Sequence, residues 1–513
     1  MKNLILFALV LVCMESSAQT AFSKSMGANT NIYDEFYSVT RSNDGGYVAC
    51  GYGPGTTAQG SILVKVDSLG VLKWYKNFAG SSNEAINVYK ISDEGYIVAG
   101  WDYNTSSGDF NPLLVRFDSL GNLKWKKTIT GSVEITIYDV AEVHNGFVFC
   151  GRYSPTGTFG TSDAIVFKTD TGGTMVWCKR FAVSGVDDQA LNIRVTYDKG
   201  LIVLGEALIS TARPTLFKLD SMGTYKWGRQ FSSASGSVLM GKSGMLACTK
   251  DSGYALTCKF PDASTTEIWL IKTDSLGAPQ WSKKYSDGYS KTLAQTPDNG
   301  FILGGKGTFN SPLYGGFLMK TDSLGAFQWG NLYGDSTDIL SVSTTPDGGF
   351  VAVGNKERAA TYRDPWIIKT NSLGQAGSCN LSITTTVTNP TYTYTPSVSY
   401  GITNLSLTTT NMTFNANNYT PVQKNYCGFT TEIKYIPNED DISVYPNPAS
   451  NYLTISSREN SRIKIYDILG NHILSSATKE NNHIINTESF SRGIYFIQIQ
   501  TSTGISLRRF VLD

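Results

Sequence analysis

The sequence predicts an all-β fold: a seven-bladed β-propeller over residues 19–379, a Thr/Asn-rich linker or β-hairpin extension over 380–436, and a small β-sandwich over 437–513. Three observations carry this expectation. A turn motif recurs seven times at a spacing of about fifty residues. Every repeat holds a second turn signature, and the stretches between turns show strand rather than helix periodicity. Finally, the seventh repeat lacks its last strand, and a matching segment stands near the N-terminus.

The turn motif is Lys65-Val66-Asp67-Ser68-Leu69-Gly70, and it returns with its Asp, or Asn in the last copy, at 118, 170, 220, 274, 322 and 371. Seven residues after the marker stands Trp74, Trp125, Trp177, Trp227, Trp281 or Trp329. Ahead of each marker lies an Asp-x-Gly type turn, as in Asp44-Gly45-Gly46 and Asp298-Asn299-Gly300. A polar residue leading to Gly is what a tight hairpin with positive φ demands. Two hairpin turns per unit imply four strands per unit, the pattern of a propeller blade, whereas leucine-rich, ankyrin and tetratricopeptide repeats need helices or shorter periods. The seventh copy ends Gly374-Gln375-Ala376-Gly377 with no Trp strand, and Phe22-Ser23-Lys24-Ser25-Met26-Gly27 aligns with Trp74 to Ala79. Residues 20–27 are therefore expected to be the outermost strand of the last blade, with Phe22 and the six Trp residues packing blade on blade.

Composition excludes several classes of function. Lys plus Arg (43) balances Asp plus Glu (42), so no basic field draws nucleic acid or anionic lipid. Lys2, the apolar run Leu4 to Val12 and the small residues Ser16-Ser17-Ala18 read as an export signal, residues 1–18, cleaved between Ala18 and Gln19. No later segment reaches the length of a transmembrane helix, and a soluble monomer is expected. Cys379 and Cys427 bracket the linker and are the candidate disulfide of an exported chain, Cys50 and Cys150 read as buried small hydrophobes, and a Cys248–Cys258 link stays open.

Catalytic signatures are missing. Three His in all, at 144, 472 and 483, leave no metal cluster or Ser-His relay, and no P-loop, His-Glu-x-x-His or Cys-x-x-Cys motif occurs, so neither a metal nor a cofactor is expected. The turns of one face are uniform and the loops of the other vary, which makes the variable face the place to look for binding. Tyr52, Trp101, Tyr153, Phe309, Tyr314 and Tyr362 lie there as candidate carbohydrate or protein contacts. A binding or adhesion module is the first reading, with a secreted glycoside hydrolase or a purely structural surface component as alternatives.

Two resemblances add to this. The Asp-Ser-Leu-Gly to Trp spacing resembles the repeat of quinoprotein dehydrogenases, but the vicinal cysteines that contact quinone in that family are missing, so its cofactor does not carry over. The blocks Val444-Tyr445-Pro446-Asn447-Pro448-Ala449, Ile463-Lys464-Ile465-Tyr466-Asp467-Ile468-Leu469-Gly470, Gly493-Ile494-Tyr495-Phe496-Ile497 and Arg508-Arg509-Phe510-Val511-Leu512 resemble the type A C-terminal sorting domain of the type IX secretion system. That resemblance implies a repeat protein of Bacteroidetes type, recognised by the type IX machinery and secreted or attached to the outer cell surface.

Overall fold

The computed structural model describes residues 21–27, 34–54, 60–78, 83–104, 108–129, 134–155, 162–183, 186–208, 212–233, 245–261, 266–309, 314–359, 362–377, 380–405, 407, 409–411, 417–418, 422–425, 442–457, 461–467, 472–478, 482–500 and 505–513. These residues form strands, turns and bridges without a helix. The proposed cleavage site at Ala18–Gln19 and the candidate disulfide Cys379–Cys427 lie outside the described residues. The chain divides into two compact units, Met1–Phe429 and Thr430–Asp513.

The first unit holds seven five-stranded antiparallel sheets among its described residues, in a propeller-like arrangement. Sheet one takes Glu35–Arg41, Tyr47–Gly53, Gly60–Val66 and Leu72–Asn77 in that spatial order. Sheets two to six repeat the pattern, starting at Asn83, Glu134, Asp187, Leu246 and Gly288. Sheet seven takes Thr337–Thr344, Phe350–Ala359 and Tyr362–Thr370 and is completed by Phe22–Gly27. Phe22 lies opposite Lys369, as Trp74 lies opposite Lys65 and Trp281 opposite Lys272. Consecutive sheets pack face to face, and Glu35–Arg41 touches both sheet two and sheet seven.

Each turn signature has a distinct physical cause. In the Asp-Ser-Leu-Gly turn the Asp67 Oδ1 accepts the N–H groups of Leu69 and Val71, both at 2.9 Å, so the carboxylate caps its own turn. Gly70 there has φ +76°, and a β-carbon on it would come within 2.6 Å of the Phe22 ring of the preceding sheet. The same position in the next sheet, Gly121, meets Trp74 at 3.0 Å. The recurrent glycine thus both supplies the left-handed backbone of a bulged hairpin and makes room for the neighbour's aromatic ring. In the other turn the positive φ falls one residue before the glycine, as at Glu94 (70°) and Asn299 (67°). The glycine itself is required by close approach, since a β-carbon on Gly300 would stand 2.2 Å from the Thr321 carbonyl oxygen. The expectation that this glycine carries the φ is corrected accordingly.

The Lys two residues before the marker reaches across to the Asp of the other turn, as in Lys65–Asp44 (2.6 Å), Lys272–Asp251 (2.7 Å), Lys320–Asp298 (2.8 Å) and Lys369–Asp347 (2.8 Å). In five sheets the two turns are therefore tied by one ion pair whose Lys is almost fully buried, while Arg116 takes its place in sheet two and Lys168 donates to the His144 carbonyl in sheet three.

Among the described residues of 380–425, the strands pair with the sheets of the first unit and not with one another. These short strands each add a fifth strand to a different sheet in reverse chain order. Leu381–Ser382 pairs with sheet six, Val387–Thr388 with five, Tyr392–Thr395 with four and Gly401–Asn404 with three. Thr409–Asn411 pairs with two, Asn417–Asn418 with one, and Val422–Asn425 with Phe22–Gly27 in sheet seven. Phe22–Gly27 is consequently the fourth strand of its sheet, not the outermost, because this belt covers it. Belt side chains pack into the cores shared by consecutive sheets. Ile383 and Val387 enter the core between sheets five and six, Tyr392 and Tyr394 that between four and five, and Tyr400 that between three and four. On every sheet the belt covers part of the outer edge of the fourth strand, which would otherwise be open to pairing.

The second unit is a sandwich of a three-stranded sheet (Ile442–Tyr445, Tyr452–Ser457, Asn482–Asn486) and a four-stranded one (His472–Thr478, Ser461–Asp467, Gly493–Gln500, Ile505–Leu512). Alternate residues such as Ile463, Ile465, Ile497, Ile499 and Phe510 are fully buried between them.

Cys50, Cys150, Cys178, Cys248 and Cys258 are free thiols. Cys248 lies opposite Tyr254, four residues short of Cys258 on the facing strand, so the Cys248–Cys258 link does not form.

Candidate functional site

The innermost strand is the free edge of each sheet, so alternate backbone groups on it need partners from elsewhere. In six sheets this strand carries a β-bulge at the same register, with Tyr37, Ile86, Tyr138, Leu191, Lys291 and Leu340 as the extra residues. The next residue is always polar: Ser38, Asn87, Asp139, Asn192, Thr292 and Ser341. These side chains link sheet to sheet. Asp139 accepts the Ile193 N–H (2.9 Å), Asn192 that of Met245 (3.0 Å), Thr292 that of Val342 (3.1 Å) and Ser341 that of Val39 (3.3 Å). The last of these joins sheet seven to sheet one, the longest sequence separation among these four bonds.

Three positions before the bulge-following polar residue, toward the variable loops, the innermost strands present Glu35, Glu84, Thr136, Gln189, Tyr289 and Asp338. Their cross-strand partners are Tyr52, Trp101, Arg152, Glu206, Lys306 and Asn355. Where sheets six, seven and one meet, charge is concentrated. Glu35 accepts hydrogen bonds from Arg363 and from Asn355 Nδ2 (3.0 Å). Lys306 reaches Glu357 at 3.3 Å and stands 4.7 Å above the Tyr314 ring, while Lys291 pairs with Asp338. Burial is the largest influence on Asp338 and raises its carboxyl above the usual range, against the opposing pull of Lys291. Its Oδ1 has no hydrogen-bond partner.

A second polar group lies between sheets three and four. Asp163 is paired with Arg180 (2.6 Å), and Asp187 accepts the Ser162 N–H (2.7 Å). Burial, reinforced by these two carboxylates, pushes neighbouring Asp188 up to about 7. No set of three or more His, Cys, Asp and Glu side chains suited to a metal ion occurs among the described residues.

The six aromatics singled out from sequence divide. Tyr52 and Trp101 are half-buried beside Glu35 and Glu84, and Trp101 meets Phe110 edge-on at 4.9 Å. Tyr314 is 42% exposed beside the charged network, and Tyr362 opens the third strand of sheet seven, half-buried. Two are not surface residues. Tyr153 is 8% exposed under the Arg180 guanidinium, and Phe309, 2% exposed, packs edge-on to Phe317 at 4.7 Å in space left by Gly288 and Gly307. The charged residues of the sheet six–seven–one network were not anticipated. A signal for them exists: Glu35, Glu84, Gln189, Tyr289 and Asp338 each stand nine residues before the Asp of their Asp-x-Gly turn.

Each recurrent Trp sits on the turn of the following sheet. Trp125 donates Nε1–H to the Thr171 carbonyl at 3.0 Å, and Trp281 and Trp329 meet Phe301 and Phe350 at 5.8 and 5.7 Å. Phe22 meets Tyr47 at 6.2 Å in the same way.

Residues 443–513 match the family described as the secretion system C-terminal sorting domain. No curated protein matches the chain. Among solved structures, an α-L-arabinofuranosidase of Fusarium graminearum is similar at 10% identity and TM-score 0.40, covering 69% of this chain and 98% of its own. An α-L-arabinanase of Penicillium chrysogenum gives 8% identity and TM-score 0.41, over 69% and 99%. PorZ, a surface component of the type-IX secretion system of Porphyromonas gingivalis, gives 8% identity and TM-score 0.20, over 96% and 100%. With its sorting domain in residues 443–513, the protein is one that the type IX secretion system exports, to be secreted or held at the cell surface.

Proposed function

We propose that the seven sheets are the blades of one closed seven-bladed propeller, that Phe22 and the six Trp residues wedge blade against blade, and that the exported monomer is a binding module for a glycan or protein. The ligand sits at the variable-loop end where sheets six, seven and one meet. The observation that carries this is exposed Tyr314 lying under Lys306 within the network of Glu35, Glu357 and Arg363, an aromatic face with hydrogen-bonding groups beside it. Screening the mature protein on a glycan array, alongside Tyr314→Ala and Trp101→Ala, tests it. Binding lost in Tyr314→Ala supports this site, and undiminished binding in both variants places the ligand elsewhere.

One observation favours a glycoside hydrolase as the second reading. Asp338 has a raised carboxyl with an unpartnered oxygen, while Glu35 on the adjoining innermost strand is held between Arg363 and Asn355. Two carboxylates in environments that separate their protonation states are what an acid and its partner require. Turnover of a polysaccharide that disappears in Asp338→Asn supports hydrolysis. Turnover surviving that substitution removes Asp338 from the chemistry.

A further inference from the structure

At the other end of the innermost strands, on the side of the uniform Asp-x-Gly turns, two cavities share Thr40, Tyr89 and Ser343 as walls. The outer one, of ≈ 490 Å³, is bounded by Arg41, Lys90, Tyr47 and Tyr89. The inner one, of ≈ 150 Å³, is bounded by Ser38, Asn87, Asp139, Arg194, Thr292 and Ser341, contributed by six different sheets. No carboxylate lines the outer chamber. The single carboxylate of the inner one, Asp139, is committed to the Ile193 and Val140 N–H groups (both 2.9 Å) and to Arg194. Arg194 uses Nη1 for Asp139 and for the Ile193 carbonyl, and among the described residues no hydrogen bond engages its Nε or Nη2. Its side chain remains 27% exposed, as part of the inner wall.

The walls therefore carry a net positive charge from Arg41 and Lys90, hydroxyl and amide groups around the middle, and one free guanidinium edge at depth. An Arg edge matches planar and tetrahedral oxyanions through paired N–H groups. The outer chamber has the size of a small-molecule site, roughly 300–1,000 Å³, while the inner one suits a single charged group. Tyr89, 37% exposed, offers a ring face between them.

We propose that this double chamber binds a monosaccharide-sized organic oxyanion, its charged group on the Arg194 edge and its body against Tyr89 between Arg41 and Lys90. The site lies at the opposite end of the strands from the variable-loop network and stands independently of it.

The test is calorimetric titration of the mature protein with glucuronate, glucose 6-sulfate and glucose 6-phosphate, with glucose as the neutral comparator. At least one oxyanion binds at millimolar concentration or below, glucose does not, and Arg41→Ala and Lys90→Ala each weaken binding by roughly tenfold, as expected for loss of a charged contact. Preference for glucuronate over the other two identifies a carboxylate ligand, and the reverse a sulfate or phosphate. Arg194→Lys keeps a cation beside Asp139 but removes the fork, and also weakens binding. Oxyanions binding no better than glucose, or binding indifferent to both rim substitutions in variants with unchanged circular dichroism, overturns the proposal.

Discussion

Replacing Tyr400 by Ala probes whether the belt is part of the folded core or a dressing on it. The ring meets Phe217 at 5.1 Å, Tyr225 at 5.8 Å and Phe181 at 6.1 Å, in the gap between sheets three and four. Burial of about 150 Å² is typical for such a ring, and at about 25 cal/mol/Å² this amounts to about 4 kcal/mol. Truncation of large aromatics in packed sites costs about 3–5 kcal/mol, so the two routes agree. The belt strand here contributes only the pairs Lys179↔Asn404 to Ala182↔Gly401, too few to hold by themselves. If the belt opened independently of the sheets, the loss in global stability could not exceed the small free energy of that local opening. Urea unfolding of Tyr400→Ala is therefore expected to show a loss of about 3–5 kcal/mol, with Ser399→Ala within about 0.5 kcal/mol of the parent. A loss below about 1 kcal/mol for Tyr400→Ala, together with faster proteolysis confined to residues 380–425, would refute the view that belt and sheets unfold as one unit.

Three further outcomes follow from the same geometry. Gly325→Ala forces φ +78° on a residue with a β-carbon and sets that carbon 2.8 Å from the Trp281 ring, so it loses at least about 1–2 kcal/mol by thermal unfolding. Asp44 and Asp298 resist burial, which alone would raise them, because their ion pairs with Lys65 and Lys320 and their turn hydrogen bonds hold them at about 2. Their contribution is complete above the ordinary carboxylate value of 3.8 and is lost as pH falls toward 2, so the urea midpoint drops across that window, less steeply in Asp298→Asn. Asp188 has the opposite sign. With its folded value raised from 3.8 to about 7, stability falls as pH rises through that interval, and Asp188→Asn raises the unfolding midpoint at pH 8 but not at pH 4.

Much of the architecture was written locally. Turn chemistry such as Asp67 capping its own hairpin, and the fifty-residue recurrence of Asp, Gly and Trp, reports interactions spanning only a few residues or one repeat, and these are visible in a single chain. The sorting-domain blocks are legible for the same reason, being contiguous in residues 443–513. Long-range placement was another matter. The segment after residue 380 has β-branched alternation, which predicts strands, but which edge each strand joins depends on seven preformed sheets offering the same open position. The charged network of Glu35, Lys291, Asp338 and Arg363 likewise assembles from sheets one, six and seven, and the Arg194 chamber from six sheets, each of whose innermost strands supplies one to three residues. Phe309 shows the converse: an aromatic in a variable loop reads as surface, yet two glycines of its own hairpin leave the space that buries it. The sequence by itself determined strand, turn, repeat and destination, since those rest on short-range sterics and capping. Only the tertiary structure decided what the belt covers and which charges meet, since both depend on residues hundreds of positions apart being brought within a hydrogen bond of each other.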